Sequence, residues 1–501
     1  MSRPLRATPP SDRLRHGDLS VDVATLAVLL VVALAMRLPS LGEPANNFDE
    51  GVYLESLFLM ALGYRPFTEI AASQGPLHLH AQLPFFLAFG QTVAAGRAAS
   101  VVYSLVGLAG VWWIGRQLAG RWAGLAATLL VVLSPTYLRF SRQALADLPA
   151  LAPVTLAIGV ALLHRRVGRR RWVVLSGVLL ALGLLMKPLV VGAVLTVALL
   201  IWRPGRAGWH DLLLLGGIVA LTPFLVLLAL GPWPVLEQVL GFREGARAAY
   251  GWDLRQNWDL IADKLDQEQL GFFLLASLGG GLLAPGRRRW AARAVIVWAV
   301  TSLGVLLAHS PLRYHQMVIL VPPLAILGGA AVASIPRFVR GPRPMARILA
   351  ALCGAALLVY AGGLPELVRR DLLLLENVDA AGSGSDTTDD ADTAVERIRR
   401  LSGPDDFVLT DHPYLAFLAG RRVPPELVDP SETRLRAGDL TDERVLALAV
   451  AYRPKVVVLW NGKLNRLPRF MDWVTTTYRQ DRRFGTVDDG QVRAVLRDRG
   501  A

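Results

Sequence analysis

The strongest constraint on this chain is a series of apolar runs of about twenty residues, each long enough as a helix to cross a ~30 Å hydrocarbon core. They fall at roughly 21–38, 96–115, 122–138, 145–163, 172–186, 188–202, 210–231, 269–285, 291–308, 314–335 and 346–364. Lipid offers no partner for backbone amides, so such runs must be helical. The expected fold class is an α-helical polytopic membrane protein with about eleven transmembrane helices. Lys187-Pro188 marks a kink or re-entrant turn between two of them. Only 19% of the residues are charged, which excludes an ordinary soluble domain.

Basic residues set the expected orientation. Arg3, Arg6, Arg13 and Arg15 precede the first run. Later clusters are Arg116/Arg121, Arg165–Arg171, Arg203/Arg206, Arg287/Arg288/Arg289/Arg293 and Arg337/Arg340/Arg343/Arg347, in every second loop. The tail 1–20 is therefore read as cytoplasmic, the first run as an uncleaved span, and the C-terminal tail as external. The net charge of +13 is mostly this signal. Its residues sit in short loops between apolar runs, so a lipid bilayer and not a nucleic acid is the expected partner. Cys353, inside the last run, is the single cysteine, which excludes an intrachain disulfide and a thiolate metal site.

The remaining segments divide accordingly. A membrane domain covers 21–375, with a first external loop at 40–95. In that loop Glu50–Leu62 and Leu77–Phe89 are apolar and aromatic but too short to span, so they are expected as helices in the membrane interface. A second external segment, 232–269, reads as a surface helix pair. A flexible acidic linker is expected at 376–393, centred on Gly382–Asp390, followed by a small extracytoplasmic α/β domain at 394–501. Its expected strands are Asp406–Thr410 and Lys455–Trp460, and its expected helices Ala394–Leu401, Pro413–Ala419 and Glu443–Ala451. It carries no phosphate loop, triad or metal-ligand spacing, and reads as a structural or acceptor-facing cap.

Chemistry concentrates on the expected outer side. Asp49 and Glu50 follow the first span, where a lipid-linked substrate would present its headgroup. They are either a general base, with or without a metal, or loop acids, with Asp49 capping the next helix. Asp147 lies at the external mouth of the fourth span and is either functional or paired with Arg139 or Arg142. Arg97, Arg139, Arg142, Lys187 and Arg313 are outer cations, which the topology rule does not call for. They suit a phosphate or snorkel to lipid. His78, His80, His309 and His315 share that side. Spacing of i and i+2 places His78 and His80 on different helix faces, so a zinc site from these two alone is not expected.

Several motifs together resemble the GT-C membrane glycosyltransferases, in the branch of bacterial protein O-mannosyltransferase-like and aminoarabinose-transferase-like enzymes. They are Phe48-Asp49-Glu50-Gly51-Val52-Tyr53, Gln74-Gly75-Pro76-Leu77, Gly96-Arg97-Ala98-Ala99-Ser100, Gly115-Arg116-Gln117-Leu118-Ala119-Gly120, Leu133-Ser134-Pro135, Ser141-Arg142 through Asp147-Leu148-Pro149, and Pro311-Leu312-Arg313-Tyr314. The resemblance is dense over 20–200 and thin beyond. It implies transfer of a sugar from a polyprenyl-phosphate donor to a hydroxyl or amine of an envelope protein, lipid or glycan at the outer face of the plasma membrane, with inversion and no nucleotide cofactor.

By position, the resemblance makes Asp49 the catalytic carboxylate and Asp147 a second acid near the donor. Arg97, Arg142, Lys187, Arg313 and Tyr314 complete the expected donor site, and Glu50, Gln74, His78 and His80 the acceptor or loop side. A divalent ion, if used, would be held by Asp49, Glu50 and Asp147. Aminoarabinose-transferase-like members carry an acid and a Lys where this chain has Gln74 and Gly75, so a metal or phosphate contact there does not carry over. The competing readings are a lipid-linked-substrate transporter or flippase and a non-catalytic scaffold.

Overall fold

The computed structural model describes residues 16–44, 47–283, 289–340, 344–376, 388–486 and 492–500. The N-terminal arginines, Asn46, Arg287, Arg288, Arg343 and most of the expected linker lie outside them. A helix occupies every expected apolar run. Among the described residues, six helices are long and apolar enough to cross a membrane: Val93–Ala119, Asp147–Val167, Arg206–Leu230, Trp290–Ala308, Tyr314–Val339 and Pro344–Leu375. A bent pair, Arg121–Val132 and Pro135–Ser141, adds a seventh if it is one span. The count of eleven is therefore not reached on length alone, because several runs are shortened or broken.

The breaks have local causes. Ser134 caps the second half of the bent pair by accepting from Tyr137 N at 3.1 Å, and Pro135 opens it, so the chain turns by 68°. A residue before proline is pushed out of the helical region. Lys187 accordingly sits at φ −152°, ψ 109°, ending the helix Arg170–Met186 and turning its side chain inward. The helix Asp147–Val167 is buried along nearly its whole length at the centre of the body. At one end of the body Asp22 forms ion pairs with Arg116 at 2.8 Å and Arg121 at 3.1 Å, while Arg203 binds the His164 carbonyl at 2.8 Å. Asp49, Asp147, Lys187 and Arg313 gather at the other end.

In the first loop the helices are Phe48–Ala61 and His78–Ala88. The segment 232–269 carries the helices Phe242–Tyr250 and Leu254–Leu265. The C-terminal region forms a four-stranded sheet of β1 (Val408–Thr410), β2 (Val456–Leu459), β3 (Tyr478–Thr486) and β4 (Val492–Asp498), in the order β1-β2-β4-β3. β1 and β2 are parallel, and β4 is antiparallel to both β2 and β3. β3 and β4 escape sequence reading because Tyr478–Thr486 is arginine-rich and lacks alternation. The helix Thr388–Leu401 begins inside the segment expected to be linker.

One face of this sheet packs on Leu59 and Ile70 of the first loop. Phe417 meets Phe58 and Phe86, Glu55 Oε1 accepts from Val423 N at 3.0 Å, and Ala71 N donates to the Pro425 carbonyl at 3.1 Å. The approach is closest at Gly51, where a Cβ would lie 2.6 Å from Tyr414 Cβ. The sheet region is thus seated directly on the helix that carries Asp49.

Candidate active site

Asn47, not Asp49, caps the helix Phe48–Ala61: its side chain accepts from Glu50 N at 3.2 Å. That frees the Asp49 carboxylate. The next residue is spent. Glu50 is fully buried and takes a bidentate contact from Arg97, Nε to Oε1 at 2.8 Å and Nη2 to Oε2 at 2.7 Å. Ala144 N donates to the same Oε1 at 2.7 Å, and Arg97 Nη1 binds the carbonyls of Leu41 and Glu43. Consecutive helix residues point about 100° apart, so Asp49 faces a cavity while Glu50 faces the core. Arg97 and Glu50 form a structural pair, and the donor, loop and metal expectations for them do not match their placement.

The cavity has a volume of about 410 Å³. It lies between the first loop, the end of the Arg170–Met186 helix, the segment 232–269, the loop before the Tyr314–Val339 span and the sheet region. Asp49, Gln74, Lys187 and Arg313 line it, as do Arg243, His309, His315 and Gln316. Lys187 Nζ donates to Asp147 Oδ1 at 2.7 Å, with both side chains buried. Asp147 therefore acts behind the cavity, holding Lys187, and its partner is not Arg139 or Arg142. Arg313 is exposed, its guanidinium 5.8 Å from the Tyr250 ring. Burial, together with Arg243 and Lys187, pushes His309 down to about 4, so it faces the cavity as a neutral group.

Other expected residues lie elsewhere. Arg142 is buried and donates to the carbonyls of Pro39 and Leu374. The Tyr314 hydroxyl bonds Gln267, and its ring packs on Phe140 at 5.2 Å. His80 Nδ1 pairs with the Pro76 carbonyl at 3.0 Å. His78 is 1% exposed and meets the Tyr53 ring edge-on at 4.5 Å. None of these four lines the main cavity.

Gly75 explains the departure at Gln74-Gly75. A Cβ there would lie 2.2 Å from the Leu185 carbonyl and 2.6 Å from that of Met186. Leu77 N also donates to the Leu185 carbonyl at 3.0 Å. The turn is thus pressed on the helix end beside Lys187, and no side chain fits at position 75.

The site also contains residues that sequence reading missed. Arg243 lines the cavity, and its buried Nε has no hydrogen-bond partner among the described residues. From the sheet region come Asp429, Glu432 and Lys463. The Lys463 ammonium sits 3.1 Å from the centroid of Phe48, the neighbour of Asp49. Burial pushes Lys463 down to about 8 against the pull of Asp411, Asp429, Asp49 and Glu432, and burial raises the Asp429 carboxyl. The turn Asn461-Gly462 after a predicted strand was the one available signal for Lys463.

A divalent ion held by Asp49, Glu50 and Asp147 does not fit this arrangement. Glu50 belongs to Arg97 and Asp147 to Lys187, and among the described residues no three His, Cys, Asp or Glu side chains are grouped to hold a metal. The arrangement is instead a carboxylate facing a cationic pocket, suited to a proton acceptor working beside an anionic leaving group.

A model of the dolichyl-phosphate-mannose-protein mannosyltransferase family matches residues 73–229. No curated protein sequence matches the chain. The ArnT of Cupriavidus metallidurans, solved bound to undecaprenyl phosphate, is similar in structure with TM-score 0.61 and 16% identity, over 96% of this chain and 98% of that one. The oligosaccharyltransferase AglB of Archaeoglobus fulgidus, solved with an inhibitory peptide and a dolichol-phosphate, gives 0.53 and 12%, over 96% and 74%. The Archaeoglobus enzyme has also been solved with Zn and sulfate. These relatives are GT-C glycosyltransferases, and the chain has their fold.

Proposed function

We propose that this GT-C chain is a glycosyltransferase that moves a sugar from a polyprenyl-phosphate donor to an acceptor on an envelope protein, lipid or glycan. The observation that carries the reading is the meeting of Asp49 with Lys187, Arg243 and Arg313, drawn from separate segments, in one cavity. The phosphate of the donor binds these cations. Arg243 and Arg313 offer planar forks to its oxygens, and Lys187 is held in place by Asp147.

Asp49 accepts the proton of the acceptor hydroxyl or amine as that group attacks the anomeric carbon. The new bond forms on the face opposite phosphate, the bond from carbon to the phosphate oxygen breaks, and polyprenyl phosphate departs with the electron pair. The anomeric centre inverts. The cations offset the charge gathering on the phosphate, and because the donor carries its own phosphate leaving group no nucleotide takes part. His309, neutral, supplies hydrogen bonding without competing for phosphate.

The site end of the body faces outward in this reading, with the basic end and N-terminus cytoplasmic, eleven crossings, and the sheet region capping the site from outside.

The test is full-length protein in detergent with polyprenyl-phosphate sugars and extracted envelope acceptors, products being identified by mass. Asp49→Asn should lower transfer by about 10²–10⁴ while undecaprenyl phosphate still binds. Wild-type turnover in that variant would overturn the assignment.

A further inference from the structure

Beside the main cavity lies a second, smaller pocket that shares Val52, Tyr53, Ser73, Gln74 and Asp429 with it. Its interior volume is about 10 Å³, room for one water-sized group. Two of its lining side chains carry a buried polar atom without a hydrogen-bond partner among the described residues: His78 at Nε2 and Gln74 at Oε1. His78 is 1% exposed, so that nitrogen faces no bulk solvent.

A buried polar atom without a partner is costly to keep, and two such side chains in the wall of one small pocket call for a ligand group. The backbone beside Gln74 is pressed by the Gly75 turn against the Leu185 and Met186 carbonyls. The His78 ring is held by the edge contact with Tyr53, and its Nδ1 lies 3.5 Å from Gln82 Nε2.

We infer that this side pocket is a sugar-hydroxyl subsite, in which His78 and Gln74 hydrogen-bond one free hydroxyl of the donor sugar. The inference rests on the glycosyltransferase reading and adds a substrate class to it: a sugar unsubstituted at that position. A hydroxyl donates to Gln74 Oε1 and exchanges a second hydrogen bond with His78 Nε2. Burial and the nearby Lys187 push His78 down to about 3, so it meets the hydroxyl as a neutral imidazole. An acetamido group at the same carbon exceeds the volume. A deoxy carbon leaves both polar atoms unpaired.

The experiment measures thermal stabilisation of the full-length protein by bare undecaprenyl phosphate and by undecaprenyl-phosphate-linked mannose, glucose, arabinose and N-acetylglucosamine. Deoxy analogues of the sugar that binds best follow. The wild type should bind at least one unsubstituted sugar lipid more tightly than the bare phosphate, and one deoxy position should abolish that increment. His78→Phe should cut the increment tenfold or more, leave the response to undecaprenyl phosphate unchanged, and regain part of the increment as His78→Gln. Gln74→Leu should act in the same direction.

An increment that survives His78→Phe and Gln74→Leu in folded protein would overturn the subsite while leaving the glycosyltransferase reading intact. So would tightest binding of the N-acetylglucosamine lipid with no sensitive deoxy position. Failure of the wild type to respond to any of these lipids, undecaprenyl phosphate included, would sink the glycosyltransferase reading itself.

Discussion

Two adjacent acids should give opposite phenotypes. Glu50 and Arg97 form a bidentate pair with no exposed side-chain surface. Removing one partner of a buried ion pair typically costs ~3–5 kcal/mol, because the other charge stays buried and uncompensated. Glu50→Gln keeps an oxygen able to accept from Ala144 N but can serve only one prong of the guanidinium. The cost should therefore fall near the lower end, about 3 kcal/mol. Arg97 also ties the Leu41 and Glu43 carbonyls, so the chain leading to Asp49 loosens with it. The assay is melting temperature in detergent beside transfer activity at a temperature where the variant stays folded. Glu50→Gln should melt well below wild type and retain most of its activity. The double variant Glu50→Gln/Arg97→Met, which leaves no buried charge, should recover much of the stability. Glu50→Gln with a wild-type melting temperature and a transfer loss matching Asp49→Asn would show that Glu50 takes part in the chemistry and refute the structural pairing.

Gly51→Ala places a Cβ 2.6 Å from Tyr414 Cβ and 2.8 Å from Tyr414 N. Overpacking of this kind costs ~1–3 kcal/mol, so limited proteolysis should release the sheet region faster than in wild type; an unchanged pattern would contradict the docking. Lys463, pushed down to about 8 from 10.5, gives a signed pH effect. Between those values the folded protein has released a proton that the unfolded chain still holds, so Lys463 makes stability rise with pH across that window. Subtracting the melting curves of Lys463→Met from wild type should expose that rise, and a flat difference would contradict the buried amine. Topology is best read at Asp405, whose side chain is fully exposed. Cys353 is buried and adds no background, so Asp405→Cys should react with a membrane-impermeant maleimide in intact cells; protection there would reverse the orientation.

Local sequence was enough for the features set by local physics. Apolar runs placed the helices, because a backbone in lipid has no other way to satisfy its amides. Lys187-Pro188 announced the break that turns Lys187 inward, since proline restricts the residue before it. The first loop stood out by its acids and aromatics, and Asp49 and Gln74 from it line one cavity with Lys187 and Arg313. What sequence could not do was separate Asp49 from Glu50. That separation depends on which face of one helix turn meets Arg97, a residue 47 positions away. The same limit hid the role of Asp147, whose partner proved to be Lys187 rather than a neighbouring arginine. Asp429 and Lys463 had no pattern to betray them, for they reach Asp49 only because the sheet packs on Leu59 and Ile70. Contacts between residues far apart in the chain leave no periodicity in it, so only the tertiary structure decided which charges face the cavity and which hold the fold together.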